Sequence, residues 1–154
     1  MKAFFESPVL TWIARLALGG FFIYASWHKI GDPPDFAKSI YNYKIVPGEL
    51  IHISALFLAW LELAAGIAVI TGLGLRGGTV ILGLLCVVFI VALSYNLTRC
   101  HPTICGCFST YEESLTKTDA EKFFEMKREI ALDAGLLLLS LQILWAKRKR
   151  PKAA

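Results

Sequence analysis

Residues 50–98 read LIHISALFLAWLELAAGIAVITGLGLRGGTVILGLLCVVFIVALSYNLT, and this stretch decides the fold. It holds two apolar runs, 50–74 and 77–98, joined by a very short connection around Leu75, Arg76 and Gly77. A hydrocarbon core about 30 Å thick is crossed by roughly 20 helical residues rising about 1.5 Å each, so each run is long enough to span it. A connection this short makes the two helices antiparallel neighbours. Two further runs of similar length lie at 9–30 and 130–146, and only 77–98 is free of ionisable side chains other than Cys and Tyr. The reading is therefore all-α: one integral membrane domain over 1–154, an antiparallel four-helix bundle with both termini on one side and both long connections on the other.

Composition agrees. Of 154 residues, 56% are hydrophobic and 18% charged, with a mean hydropathy of +0.57, which is more apolar than a soluble domain of this length needs. The first run is too long for the core of a signal peptide and no small-residue cleavage site follows it, so it is expected to remain as a helix. The net charge of +4 comes largely from Lys147, Arg148, Lys149, Arg150 and Lys152. A basic run against an apolar helix suits anionic lipid headgroups, and nucleic acid is not an expected partner.

Sidedness does not follow from a raw count of Lys and Arg. Seven flank the side of the termini (Lys2, Arg76 and the tail), against eight on the other (Lys29, Lys38, Lys44, Arg99, Lys117, Lys122, Lys127 and Arg128). The tail is the dense group, and dense charge directly beside a span resists translocation. Both termini are accordingly expected in the cytoplasm. The loop 99–118 then faces the periplasm or cell exterior, where disulfides form and persist.

In the first long connection, Asp32-Pro33-Pro34-Asp35 reads as a helix start, with Asp as N-cap and Pro in the first turn. Phe36, Ile40 and Tyr43 make one apolar stripe, so a short interfacial helix is expected, ended by Pro47-Gly48. In the second, Thr118-Asp119-Ala120-Glu121 fits a capping box and moves the start of the fourth helix out to Asp119. Trp27, Tyr41, Tyr43 and Tyr95 at the outer boundary, with Trp12 and Trp145 at the inner one, read as aromatic belts.

Arg15, Glu62 and Asp133 fall inside spans, where an unpaired charge is costly and a functional role is the default expectation. Arg15 lies about 9 Å and Glu62 about 18 Å above the inner edge, a gap that two extended side chains close. Two readings stand open: Arg15 snorkels inward while a neighbour caps Glu62, or the two pair across a cavity that holds a quinone headgroup or relays a proton. Asp133, near the outer edge, reads as partly hydrated. His28 and His52 sit near the same edge and His101 lies in the loop, together placing proton acceptors beside the thiols.

The chemistry concentrates at Arg99-Cys100-His101-Pro102-Thr103-Ile104-Cys105-Gly106-Cys107-Phe108, directly after the third span. A bare Cys-x-Cys is a weak signal. Two thiols one residue apart close only a tight, strained ring, which makes their disulfide easy to exchange. That suits Cys105 and Cys107 as carriers, with Cys100 as a third partner. The alternatives are a loop staple joining Cys100 to Cys105 or Cys107, and a soft-metal site with His101, whose spacing matches no zinc pattern. Cys86, mid-helix among Leu and Val, reads as a small buried hydrophobe.

The sequence as a whole resembles the MauE/DoxX family of small bacterial membrane proteins. The resemblance is carried by Arg15 with Gly19-Gly20-Phe21, by Ala25-Ser26-Trp27-His28-Lys29-Ile30 with Pro33 and Phe36-Ala37, and by Asn42-Tyr43 and Pro47. It continues through Leu61-Glu62-Leu63, Gly66, Cys105-Gly106-Cys107-Phe108 and Arg128-Glu129. Cys100 and Ser109 depart from the family pattern. The resemblance implies a four-helix inner-membrane protein that exchanges disulfides or electrons with an extracytoplasmic thioredoxin-like partner. Cys105, Cys107 and Cys100 are then the redox residues, and Arg15, Glu62 and His28 the candidates for a cofactor, a quinone by analogy with quinone-linked thiol oxidases of four-helix type. A membrane assembly factor with structural cysteines, or a soft-metal or small-solute transporter, are the competing expectations.

Overall fold

The computed structural model describes residues 8–44, 47–99 and 115–148. Helix α1 runs Pro8–Gly31, α2 Pro33–Tyr43, α3 Ile51–Thr71 after a single 3-10 turn at Gly48–Leu50, α4 Leu75–Thr98 and α5 Asp119–Arg148. Four of these, α1, α3, α4 and α5, are long and apolar enough to cross a membrane. In lipid every backbone polar group is satisfied internally, which a helix does by itself. Only 28–39% of each span's most apolar window is buried within the protein. The remaining faces carry Trp12, Phe57, Trp60, Leu84, Val91 and Leu138, all exposed, which is the surface of a bundle solvated by acyl chains.

Neighbouring helices pack α1 on α3, α3 on α4, α4 on α5 and α5 back on α1, closing a ring. Successive contacts run in opposite directions along α1 and α3: Arg15 meets Val69 and Ile70, Gly19 meets Gly66, and Lys29 meets Glu62. The helices are therefore antiparallel and alternate up and down, as the sequence implies. The α3–α4 turn is made by Gly72 (φ 83°) and Gly74 (φ 70°), both left-handed, so α4 begins at Leu75, two residues before the apolar run suggests.

Both capped starts form. Asp32 accepts from the Asp35 amide at 3.2 Å, and Thr118 exchanges hydrogen bonds with Glu121, whose carboxylate takes the Thr118 amide at 2.8 Å. Helix α2 stops earlier than its following Pro-Gly suggests, because Lys44 turns left-handed (φ 52°) and donates its amide to the Tyr41 carbonyl. Its Phe36 and Ala37 pack with Ile51 and Ala55 of α3. Tyr43, expected in the outer aromatic belt, is buried instead, while Trp27, Tyr41 and Tyr95 are exposed.

Helices α1 and α3 approach closely at Gly19 and Gly66, where small residues let backbones meet. A Cβ at Gly19 would stand 2.9 Å from the Gly66 carbonyl oxygen, whereas one at the adjacent Gly20 meets nothing within 4 Å. Gly19→Ala is thus expected to lower stability by about 1–3 kcal/mol through overpacking, and Gly20→Ala to leave it unchanged or slightly raised. Thermal unfolding of the two variants in detergent checks the contrast; equal effects would place the seam elsewhere.

Candidate functional site

An inward stripe recurs on each long helix. On α1 it is Ala14, Leu18, Phe22, Ala25, Ser26 and Lys29; on α3 Ala55, Ala59, Glu62, Ala65 and Val69; on α5 Met126, Glu129, Asp133, Leu136, Ser140 and Ile143. The three- and four-residue steps are those of one helical face. Four of these inward positions are ionisable, and they define the candidate site.

At its centre Lys29 Nζ donates to both carboxylate oxygens of Glu62, at 2.8 and 2.7 Å, with both side chains fully enclosed. The ammonium also stands 4.8 Å from the ring centroids of Phe36 on α2 and Phe89 on α4, so four helices meet around it. The rings' negative faces add to the attraction. Ser26, one turn before Lys29, interacts with the same carboxylate and bonds the Phe22 carbonyl at 2.6 Å. Asp133 of α5 lies within electrostatic range of both Lys29 and Glu62. Among the described residues, then, one buried ammonium (Lys29) stands against four buried carboxyl groups: Asp35, Glu62, Glu129 and Asp133.

Arg15 is elsewhere. Its Nε donates to the Val69 carbonyl and its Nη2 to that of Ile70, each at 2.9 Å, and its guanidinium lies 4.2 Å from the Trp12 ring centroid. These are carbonyls of the last α3 turn, which have no helical donor and attract a cation. The pairing of Arg15 with Glu62 is not formed: seven residues of α3 separate their partners, about 10 Å along the axis, and Glu62 is taken by Lys29. His28 is exposed and packs edge-on against Tyr24 at 4.8 Å. Arg15, Glu62 and His28 consequently do not converge on one site. Asp133, expected to be partly hydrated, is only 6% exposed.

Lys29 is the residue that the sequence reading missed, having been counted among the flanking charges of the outer side. The periodicity of Ala14, Leu18, Phe22 and Ala25 carries the signal, because it puts Lys29 on the buried face.

Cys100, Cys105 and Cys107, with His101, lie outside the described residues. Cys86 is fully buried in the main core, as expected. The chain leaves α4 at Thr98 and Arg99, the guanidinium of Arg99 lying 4.9 Å from the Tyr95 ring. On its return, Lys117 bonds Glu125 at 2.8 Å. Beside that pair a cleft of about 490 Å³ is lined by Lys117, Ala120, Glu121, Phe124, Glu125 and Arg128.

Residues 7–146 match the family described as Methylamine utilisation protein MauE. A curated relative, the Methylamine utilization protein MauE of Paracoccus denitrificans, is 30% identical over 110 residues, which is 70% of this chain and 59% of that protein. The alignment therefore spans less than two thirds of the relative. No solved structure matches the chain.

Proposed function

The chain belongs to the MauE family, and on that premise we propose that it is a membrane-embedded thiol–disulfide redox protein of the bacterial inner membrane. Cys105 and Cys107 form the exchanging pair, Cys100 assists, and the partner is an extracytoplasmic thioredoxin-like protein. Likeness to DoxX-type redox-associated membrane proteins points the same way. In each exchange one disulfide breaks and one forms between the two proteins, and two electrons with two protons change hands.

The observation that carries this reading is positional. The three clustered thiols follow Arg99 in the sequence, and Arg99 closes α4 at the end of the bundle where α1 also ends, just past Lys29. A thiolate is the reactive species, and cations such as Arg99 beside the first cysteine favour it. The exposed Phe124 and its cleft, in the first turns of α5, offer apolar contact to a soluble partner. The dense basic run Lys147, Arg148, Lys149, Arg150 and Lys152 supports a cytoplasmic side for both termini and an outer side for the thiols.

Membranes poised in thiol–disulfide buffers and then treated with a membrane-impermeant maleimide test this. Two labels per chain, on Cys105 and Cys107, are expected to appear and vanish reversibly with the buffer potential, and only from the extracytoplasmic face. A pair that stays locked at all potentials identifies a structural staple, as in an assembly factor. Labelling from the cytoplasmic face alone reverses the orientation.

A further inference from the structure

Asp133 sits in the interior with no cation to itself. It is 6% exposed, and its Oδ2 has no hydrogen-bond partner among the described residues. The ammonium nearest in character, Lys29, already gives two short hydrogen bonds to Glu62, so that pair is close to neutral as a unit. A second carboxylate beside it adds an uncompensated charge in a medium of low dielectric, where a buried ion without donors is strongly disfavoured. A carboxyl that carries a proton has no such charge and has one hydrogen to donate.

The surroundings bound what the site can hold. Lys29 from α1 and Glu62 from α3 lie within electrostatic range of Asp133. On α5 itself the buried Glu129 precedes it by one turn. Helix α4 brings Phe89, Asn96 and the buried thiol of Cys86, and its one charged side chain, Arg76, stands in the first turn at the opposite end. No group of three His, Cys, Asp or Glu side chains suited to a metal ion occurs among the described residues.

We propose that Asp133, held beside the Lys29–Glu62 pair, is a proton-binding site inside the bundle. Its carboxyl takes up one proton and releases it, with no change in electron count. Lys29 and Glu62 act as positioning residues, keeping a fixed dipole against the carboxyl in both states. The site goes beyond the thiol chemistry and does not depend on it, because proton binding requires only the folded bundle.

Infrared difference spectra of the full chain in phosphatidylcholine vesicles, recorded between alkaline and acidic buffer, test the assignment. The expected result is a protonated-carboxyl stretch that shifts when aspartate carboxyl carbons are labelled with carbon-13 and is lost, by one carboxyl per chain, in Asp133→Asn. In Asp133→Glu the same stretch persists but no longer responds to the aspartate label, which decides the matter should the Asn variant fail to fold. A stretch of undiminished intensity in Asp133→Asn, or an aspartate-labelled signal unaltered in Asp133→Glu, overturns the proposal.

Discussion

Replacing Lys29 alone with Met is expected to destabilise the bundle by about 3–5 kcal/mol, and Glu62→Leu alone by a similar amount. Each change leaves its partner as an uncompensated ion with no water to receive it. The carboxylate of Glu62 would lose two hydrogen bonds of 2.7–2.8 Å, and its side chain is fully buried. The double variant Lys29→Met/Glu62→Leu should recover most of the loss, since a buried pair replaced by apolar side chains of similar volume is often neutral or better. Chemical unfolding in detergent, read as a double-mutant cycle, gives the coupling directly. Losses that simply add in the double variant would mean that the two side chains do not form a pair.

That pair shows what the sequence made legible and what it withheld. Four spans, their antiparallel order, the Asp32 N-cap and the Thr118 capping box follow from run length, the Leu75-Arg76-Gly77 connection and local sequence signatures. Partner choice among buried charges does not act locally. Axial position along the spans suggests that Arg15 can reach Glu62, but position around the helix and the availability of other partners decide. The orphan carbonyls of Val69 and Ile70 lie nearer to Arg15, and Lys29 enters from the face that Ala14, Leu18 and Phe22 already define. Asp133 was misjudged for the same reason: closeness to the outer edge suggests hydration, while its place on the stripe with Met126, Leu136 and Ile143 buries it.

Cys105→Ser and Cys107→Ser are each expected to reduce thiol–disulfide exchange to background while leaving the helical content and unfolding midpoint unchanged. An exchange pair with one sulfur removed can neither form nor resolve its disulfide. The core formed by the described residues is packed from side chains of the long helices and of α2. Cys100→Ser should slow exchange without abolishing it. Cys86→Ser should leave exchange intact, because a thiol with 0% exposure meets neither partner nor oxidant. Alkylation assays on reconstituted protein, with a thioredoxin-like domain as the second substrate, give all four rates. Full activity in both the Cys105 and Cys107 variants would remove the redox role from this loop.

The most direct test of the central claim, that these thiols exchange disulfides with an external thioredoxin-like protein, is capture of the mixed disulfide. With Cys100→Ser combined with either Cys105→Ser or Cys107→Ser and expressed in cells, the one thiol left in the loop can attack the partner's disulfide but has no neighbour to release it. Non-reducing gels of the alkylated membranes should show the chain shifted upward by the mass of a small soluble protein, with the shift abolished by reductant and absent when Cys100, Cys105 and Cys107 are all replaced by Ser. If these variants migrate as the unmodified 17.1 kDa chain under every oxidising condition, the thiol–disulfide account is contradicted.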